Sequence, residues 1–353
     1  MIRVSSSPHF HSGASTKNIM YSVAAALVPS CLWGVYVFGL RALLVLLVSI
    51  AFSILTEFLL GKVSKECTIQ DGSALVTGIL VGMNMSPTVP LFIPALASIF
   101  AIAVVKWTFG GLGANWANPA IAGRVFVFFS FSAAMSSFKL PRTLQALDMV
   151  SSATPLSMVK TLVSGGTVAG QTSMEILANN GYMATGLAQK IQSITGISAY
   201  NVDAFLGNIP GCIGEVSKLL LIAGGIYLLC RKIITWHIPV SFLGFYAILT
   251  WIFGGIPNGL GFFHGEVLAN LLRGGLILGA LFMATDMVTS PITHKGMLIF
   301  GAGCGFFTFL FRTFGSLPEA TSVAILIMNI VTPTINRFCV PKKFGEVVKE
   351  VKK

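Results

Sequence analysis

Hydrophobic residues occur in runs of membrane-spanning length, separated by short polar connections. The runs lie at about residues 18–39, 42–61, 73–89, 91–109 and 119–135, and again at about 214–230, 238–255, 270–289, 296–313 and 319–336. A crossing helix needs about 20 apolar residues, and shorter spans are tolerated where protein covers the backbone. The pattern therefore predicts ten crossings in two blocks of five. Between the blocks, from about Met135 to Pro210, the chain is rich in Gly, Ser and Thr and too polar to cross. The predicted division is a tail over 1–17, a first membrane block over 18–135, a loop over 136–213, a second block over 214–336 and a basic tail over 337–353.

Composition agrees with the pattern. Of 353 residues 54% are hydrophobic and 10% charged, and mean hydropathy is +0.83. Such a chain is an all-α integral membrane protein. Its net charge of +11 points to no nucleic acid, because the cations are scattered among short connections and gathered in the last segment. Placing both termini in the cytoplasm gives the inner connections Arg3, Lys17, Lys62, Lys65, Lys106, Arg231, Lys232, Lys295 and the basic tail. The short outer connections then receive only Arg41, Arg273 and Arg312, with Lys218 at a boundary. Positive charge favours the inner side, so the loop over 136–213 is expected to be extracytoplasmic. Residues 1–17 have no apolar core of signal-peptide type, so the first run is expected to stay as an anchor. The six cysteines show no C-x-x-C spacing and read as small packing residues.

An odd number of crossings per block makes a second copy inverted. Two similarities support such a repeat. Ser73 to Pro87 and Gly275 to Pro291 are both small-residue segments that end in polar residues and proline. The fifth run of each block also carries polar groups: Asn115, Asn118 and Arg124 in one, Glu319, Thr321 and Asn329 in the other.

Three stretches are candidates for chemistry. In Asp148-Met-Val-Ser151-Ser152-Ala153-Thr154-Pro155-Leu156, Thr154 suits an N-cap and Pro155 the first helical position, with a helix expected from Leu156 to Val163. A phosphate near the Thr154 hydroxyl would meet free amides and a positive dipole end. The run from Phe109 to Phe126, with Gly111, Gly113, Asn115, Asn118 and Arg124, is too glycine-rich for an unbroken helix and reads as a break covered by neighbouring protein. Asp286 and Glu57 are the candidates for ion coupling, because an acid buried at the membrane centre costs on the order of 3 kcal/mol. The alternative is that both are solvated near the interface, the preferred reading for Glu57. His9 and His11 lie on a polar tail, and His237, His264 and His294 stand singly at segment ends. No metal site is expected. With no nucleophile–base pair and no dinucleotide-type glycine loop in sight, any chemistry would be a cofactor's.

The motif Asp-x-x-Ser-x-Ala-Thr resembles the one at which a dedicated flavin transferase joins FMN to threonine in two related redox pumps. These are the sodium-pumping NADH:quinone reductase (Nqr), through its B subunit, and the Rnf electron-transport complex, through its D subunit. Ser152 departs from the glycine often found there. The segment Gly110 to Arg124, Ser7 to Gly13, Asp71 to Gly78, Gly207 to Gly211, Trp236 to Gly244 and Phe282 to Pro291 are similar to the same family. The resemblance covers nearly the whole chain, and the length fits the Rnf branch better.

The resemblance implies a bundle of two inverted five-helix repeats in a bacterial or archaeal cytoplasmic membrane. It implies covalent FMN on Thr154, with Asp148, Ser151, Ser152 and Ala153 completing the motif, and a non-covalent riboflavin without assigned residues. The implied partners are the other Rnf subunits, namely a flavoprotein facing the outer side, membrane iron–sulfur subunits and those facing ferredoxin and NAD. Na+ or H+ is the implied cargo and lipid the surroundings. An Nqr-type B subunit, or an inverted-repeat channel or transporter without a redox role, stands as the alternative.

Overall fold

The computed structural model describes residues 15–65, 68–142, 154–165, 170–179, 184–315 and 320–340. Among these the chain is helical and contains no strand. The first block comprises α1 (Thr16–Phe38), α2 (Leu40–Ser64), α3 (Ser73–Met83), α4 (Phe92–Phe100, continued as a π-helix over Ala101–Trp107), α5 (Pro119–Ser130) and the short α6 (Ser132–Met135). The polar region holds α7 (Pro155–Ser164), α8 (Ser173–Asn179), α9 (Gly186–Thr195) and α10 (Ala199–Leu206). The second block comprises α11 (Lys218–Cys230), α12 (His237–Phe253), α13 (Val267–Leu272), α14 (Leu276–Leu278, continued as a π-helix over Gly279–Met283), α15 (His294–Thr313) and α16 (Thr321–Phe338). By length and composition, α1, α2 and α15 are long and apolar enough to cross a membrane.

Local chemistry explains where the helices start and stop. Ser15, Ser217 and Thr293 cap α1, α11 and α15 through side chains that accept amide hydrogens. The predicted break after Trp107 is present: Gly110, Gly111 and Gly113 have φ of 109°, 87° and 100°. A Cβ at Gly111 or Gly113 would meet nothing within 4 Å. Glycine is therefore needed there for its backbone conformation and not for space. Asn118 ends the break by accepting from the amides of Ala120 and Ile121 at 3.0 and 3.4 Å, with Pro119 opening α5.

The helices fall on the predicted runs with three differences. The third run stops at Met83, well short of residue 89, where Asn84 ends α3. The eighth is interrupted between Leu272 and Leu276 by Arg273, Gly274 and Gly275. The fifth is interrupted at Phe131, between α5 and α6; Arg124, within that run, lies inside α5 with its side chain in the core.

Packing follows membrane rules, in which small residues let backbones approach. A Cβ on Gly123 of α5 would lie 2.6 Å from the Ala97 carbonyl oxygen of α4, and one on Gly224 of α11 the same distance from that of Ala26 in α1. Within the blocks α2 packs on α3 and α4, and α12 on α15. Between them, α1 packs on α11 and α5 on α16. One apolar core runs through both blocks and includes Leu27, Val45, Ile121, Phe242, Leu278 and Phe300. Meanwhile Leu32, Tyr36, Phe129 and Ile330 are exposed. Apolar surface outside and charged side chains inside, among them Glu57, Lys106, Arg124 and Lys218, invert the soluble pattern.

Those buried cations correct one step of the sequence reading. Charge distribution alone makes Lys106, Lys218, Arg273 and Arg312 connection or boundary charges, yet each is 5% exposed or less. Their positions are set by internal partners.

The polar region docks on the second block. Ser173 donates its amide to Glu266 Oε2 at 2.9 Å, Asn258 Nδ2 donates to the Gln171 carbonyl at 3.3 Å, and Lys160 Nζ donates to the carbonyls of Phe311 and Arg312 at 3.1 and 2.8 Å. Inside it, the buried Asp203 carboxylate accepts from the Thr185 amide at 2.8 Å and hydroxyl at 2.6 Å, joining α10 to the start of α9.

Candidate functional site

Thr154 caps α7 as the sequence predicts. With φ −64° and ψ 153° it is extended, Pro155 opens the helix, and its Oγ1 accepts from the Ser157 amide at 3.2 Å while donating to Ser157 Oγ at 2.9 Å. Asp148, Ser151, Ser152 and Ala153 lie outside the described residues.

The surroundings of Thr154 are not evident from the motif. It lines a small pocket with Ile209, Gly211, Glu215, Lys218, Arg273 and Gly274. Lys218 Nζ donates to the Glu215 carbonyl, and Glu215 Oε1 lies 3.5 Å from Arg124 Nη2. Two cations therefore line the pocket at the N-terminus of a ten-residue helix, and among the described residues the acid that lines it with them, Glu215, is shared with a third cation. Cations, free amides and a positive dipole end all favour a phosphate over a neutral group. The pocket's volume is about 10 Å³, the room of one water. It supplies charge and not space, so a bulky group on the hydroxyl must extend outside it. The signal that could have pointed to Lys218 and Arg273 is that each precedes an apolar stretch, where a cation is costly.

A larger cavity, about 290 Å³, lies against the same helix. Leu156, Val159, Lys160, Thr250, Asn270 and Arg312 are among the residues that line it. Arg312 Nη1 donates to Tyr246 Oη and to the carbonyls of Asn270 and Arg273 at 3.2–3.3 Å, and Nη2 to Thr321 Oγ1 at 3.2 Å. Every one of these acceptors is neutral. Burial, together with the Arg312 charge, pulls the Lys160 ammonium down to about 8 from an ordinary 10.5. Between those values the unfolded chain binds a proton that the folded chain does not, so stability should rise with pH across the window from about 8 to 10.5. Thermal unfolding in detergent at pH 7.5 and 9.5, values chosen to bracket about 8, should show that rise in the wild type. In Lys160→Met the rise should be smaller; equal slopes would remove Lys160 as its source.

The residues proposed for ion coupling and for the break occupy the core and a third cavity. Glu57, expected to be solvated, is fully buried. Its Oε1 accepts from Lys106 Nζ at 2.6 Å and from the Thr68 hydroxyl, and its Oε2 from Trp107 Nε1 at 3.1 Å. The π-helix after α4 turns Lys106 inward onto this acid, which no sequence period could indicate. Lys106, Asn115, Asn118, Thr285 and the half-buried Asp286 line a cavity of about 100 Å³. Asp286 Oδ2 accepts from Thr289 Oγ1 at 3.1 Å. Gly111 and Gly113 shape the loop beside it. Arg124 stands apart, donating through Nη1 to Asn84 Oδ1 at 2.9 Å and Ser322 Oγ at 2.6 Å. Thus Asn115, Asn118 and Asp286 come together, Glu57 adjoins them through Lys106, and Thr154 belongs to a separate site. His237 and His294, isolated in the sequence, stack with ring centroids 4.3 Å apart, and Trp236 stacks on His237 at 4.2 Å.

Comparison with known proteins places this arrangement in a family. Over 97% of this chain and 96% of the relative, it is 40% identical to the D subunit of the proton-translocating ferredoxin:NAD(+) oxidoreductase complex of Clostridium ljungdahlii. It is 38% identical, over 99% and 98% of the two chains, to the D subunit of the Na(+)-translocating ferredoxin:NAD(+) oxidoreductase complex of Acetobacterium woodii. A 36% identity over 94% and 93% links it to the D subunit of the ion-translocating oxidoreductase complex of Stutzerimonas stutzeri. Apolar helices with buried charges and these relatives together make it a multi-pass membrane protein. A family model described as "NQR2, RnfD, RnfE family" matches residues 3–345, and the chain belongs to that family.

Proposed function

We propose that this chain is the membrane subunit of an ion-translocating ferredoxin:NAD oxidoreductase of Rnf type, and that it carries FMN on Thr154 through a phosphoester. The observation that carries the flavin assignment is the Thr154 hydroxyl at a helix N-terminus beside Lys218 and Arg273. A bound flavin supplies one- and two-electron transfer. Lys218 and Arg273 would hold its phosphate, while Thr154 caps the helix that presents it and lies against the second block. A flavin transferase makes the linkage, the other Rnf subunits exchange the electrons, and Na+ or H+ is the cargo.

The packing supports the two-repeat architecture. Matching α1 to α5 in order with α11, α12, the α14 segment, α15 and α16, the contacts of α2 with α4 correspond to those of α12 with α15, and those of α4 with α5 to those of α15 with α16. Lys106 near the end of the α4 segment donates to Ser73 at the start of α3, and Arg312 near the end of α15 donates to the carbonyl of Arg273 just before α14. With inverted copies these two buried cations lie near opposite membrane faces. Cytoplasmic termini then put Thr154 on the outer face of the cytoplasmic membrane.

The non-covalent riboflavin has no assigned residues; the cavity lined by Asn115, Asn118 and Asp286 offers it polar groups, among them Asn115 Oδ1, which has no hydrogen-bond partner. At about 100 Å³ this cavity is smaller than the ~300 Å³ of a usual ligand pocket and does not fit riboflavin as it stands. Denaturing the purified chain should release this flavin while FMN stays attached. Intact mass tests the main reading: the chain from native membranes should be heavier by FMN minus water, and an unmodified chain in cells that flavinylate other proteins would remove it.

A further inference from the structure

The cavity of about 290 Å³ beside α7 carries more positive charge than its surroundings require. Arg312 is 5% exposed, and among the described residues no carboxylate pairs with it or with Lys160. Both other buried ion pairs, Lys106 with Glu57 and Arg124 with Glu215, show how this chain normally compensates a buried cation. An uncompensated buried charge is costly unless a further group completes the site. Two polar atoms point the same way: Arg312 Nε and the 2%-exposed Thr250 Oγ1 are buried without a hydrogen-bond partner, and both residues line the cavity. Its lining mixes the apolar Leu156, Val159, Val163 and Pro257 with the amides of Asn258 and Asn270, and so offers a flat ring both apolar contact and hydrogen-bonding groups.

This cavity adjoins the Thr154 pocket. Leu156 lines both, and Gly274, a wall of the Thr154 pocket, is backed by Arg312 so closely that a Cβ on it would lie 2.7 Å from Arg312 Nη2 and 3.7 Å from Leu156 Cδ2. A group tethered at Thr154 therefore has a neighbouring seat of suitable size, lined by the cations Lys160 and Arg312 and by apolar side chains.

We propose that this cavity seats the ring of the flavin held on Thr154, and that Arg312, assisted by Lys160, sets its reduction potential by stabilising the negative charge a flavin gains on reduction. The inference rests on the FMN reading and goes beyond it by assigning the ring's site. Arg312 acts here as a positioning and electrostatic residue. In a site that excludes water, a fixed cation favours the form carrying more negative charge.

The test uses the full complex purified from cells that contain the flavin transferase. Intact mass first establishes the FMN adduct on this chain in the wild type, Arg312→Gln and Lys160→Gln. The potential of that flavin is then measured by redox titration of its visible absorbance. Arg312→Gln should lower the preference for the reduced form about a hundredfold, ~59 mV for a two-electron couple, and Lys160→Gln should lower it by less. Lys160 is half-buried on the loop helix, so its variant decides the matter if Arg312→Gln fails to assemble. Adduct present with unshifted potential in the variants that assemble would overturn the ring assignment and leave the FMN reading standing. Absence of adduct from the wild type would remove both.

Discussion

Thr154→Asn should produce a chain that assembles normally but carries no covalent flavin. Asparagine is as good an N-cap as threonine or better, so the amide of Ser157 keeps its acceptor and α7 keeps its start. What is lost is the hydroxyl proposed to form the phosphoester. Thr154→Ala removes the hydroxyl and the cap together, and should add a local cost of about 0.5–2 kcal/mol, seen as easier proteolysis of the loop. Thr154→Ser retains both functions and should keep the flavin. Intact mass across the three variants separates the chemistry of the side chain from its structural role. Ferredoxin:NAD electron transfer should fall to background in Asn and Ala and persist in Ser. Flavin retained by the Asn variant would move the attachment site elsewhere.

The second large effect is expected at the Glu57–Lys106 pair, 2.6 Å apart and essentially unexposed. Removing one member of such a pair leaves a buried charge and costs about 3–5 kcal/mol, whereas replacing both with apolar side chains is often neutral. Glu57→Leu leaves the Lys106 ammonium with only the Ser73 hydroxyl at 2.8 Å. Lys106→Met leaves Glu57 with Thr68 and Trp107. Each single variant should unfold well below the wild type in detergent, and the Glu57→Leu/Lys106→Met double variant should recover most of the loss. The double variant also separates structure from transport. If it folds and the complex still drives ion uptake into vesicles, the pair holds α2 against the α4 segment and nothing more; loss of uptake with electron transfer retained assigns it to the ion path.

Much of the fold is readable from the chain because lipid imposes a strong constraint: apolar runs of sufficient length have few alternatives to helix. Thr154, Pro155 and the glycine-rich break are likewise legible, since capping and positive φ depend on the residue itself and its immediate neighbours. The charged interior is not. Lys106 and Glu57 are 49 positions apart, and their meeting depends on a π-helix that no hydrophobic period announces. Arg312 looks like a loop cation because it ends an apolar run, yet α12, α13 and α16 close around it. Lys218 and Arg273 reach Thr154 only once the loop docks on the second block. Chemistry carried by one short segment is visible in sequence, whereas chemistry assembled from several helices is not.

The two π-helices, over Ala101–Trp107 and Gly279–Met283, both contribute to the cavity that holds Asp286, through Lys106 and Phe282. Each π turn is an α-helix with one residue to spare. Moving that spare residue along a helix turns the side chains it passes by about 100°, the angle of a single α-helical step at 3.6 residues per turn, while the helix ends stay in place. Lys106 and Phe282 thus stand on the cavity wall where the chain has a residue to spare, and it is the bonds of Lys106 to Glu57 and Ser73 that fix where its spare turn lies.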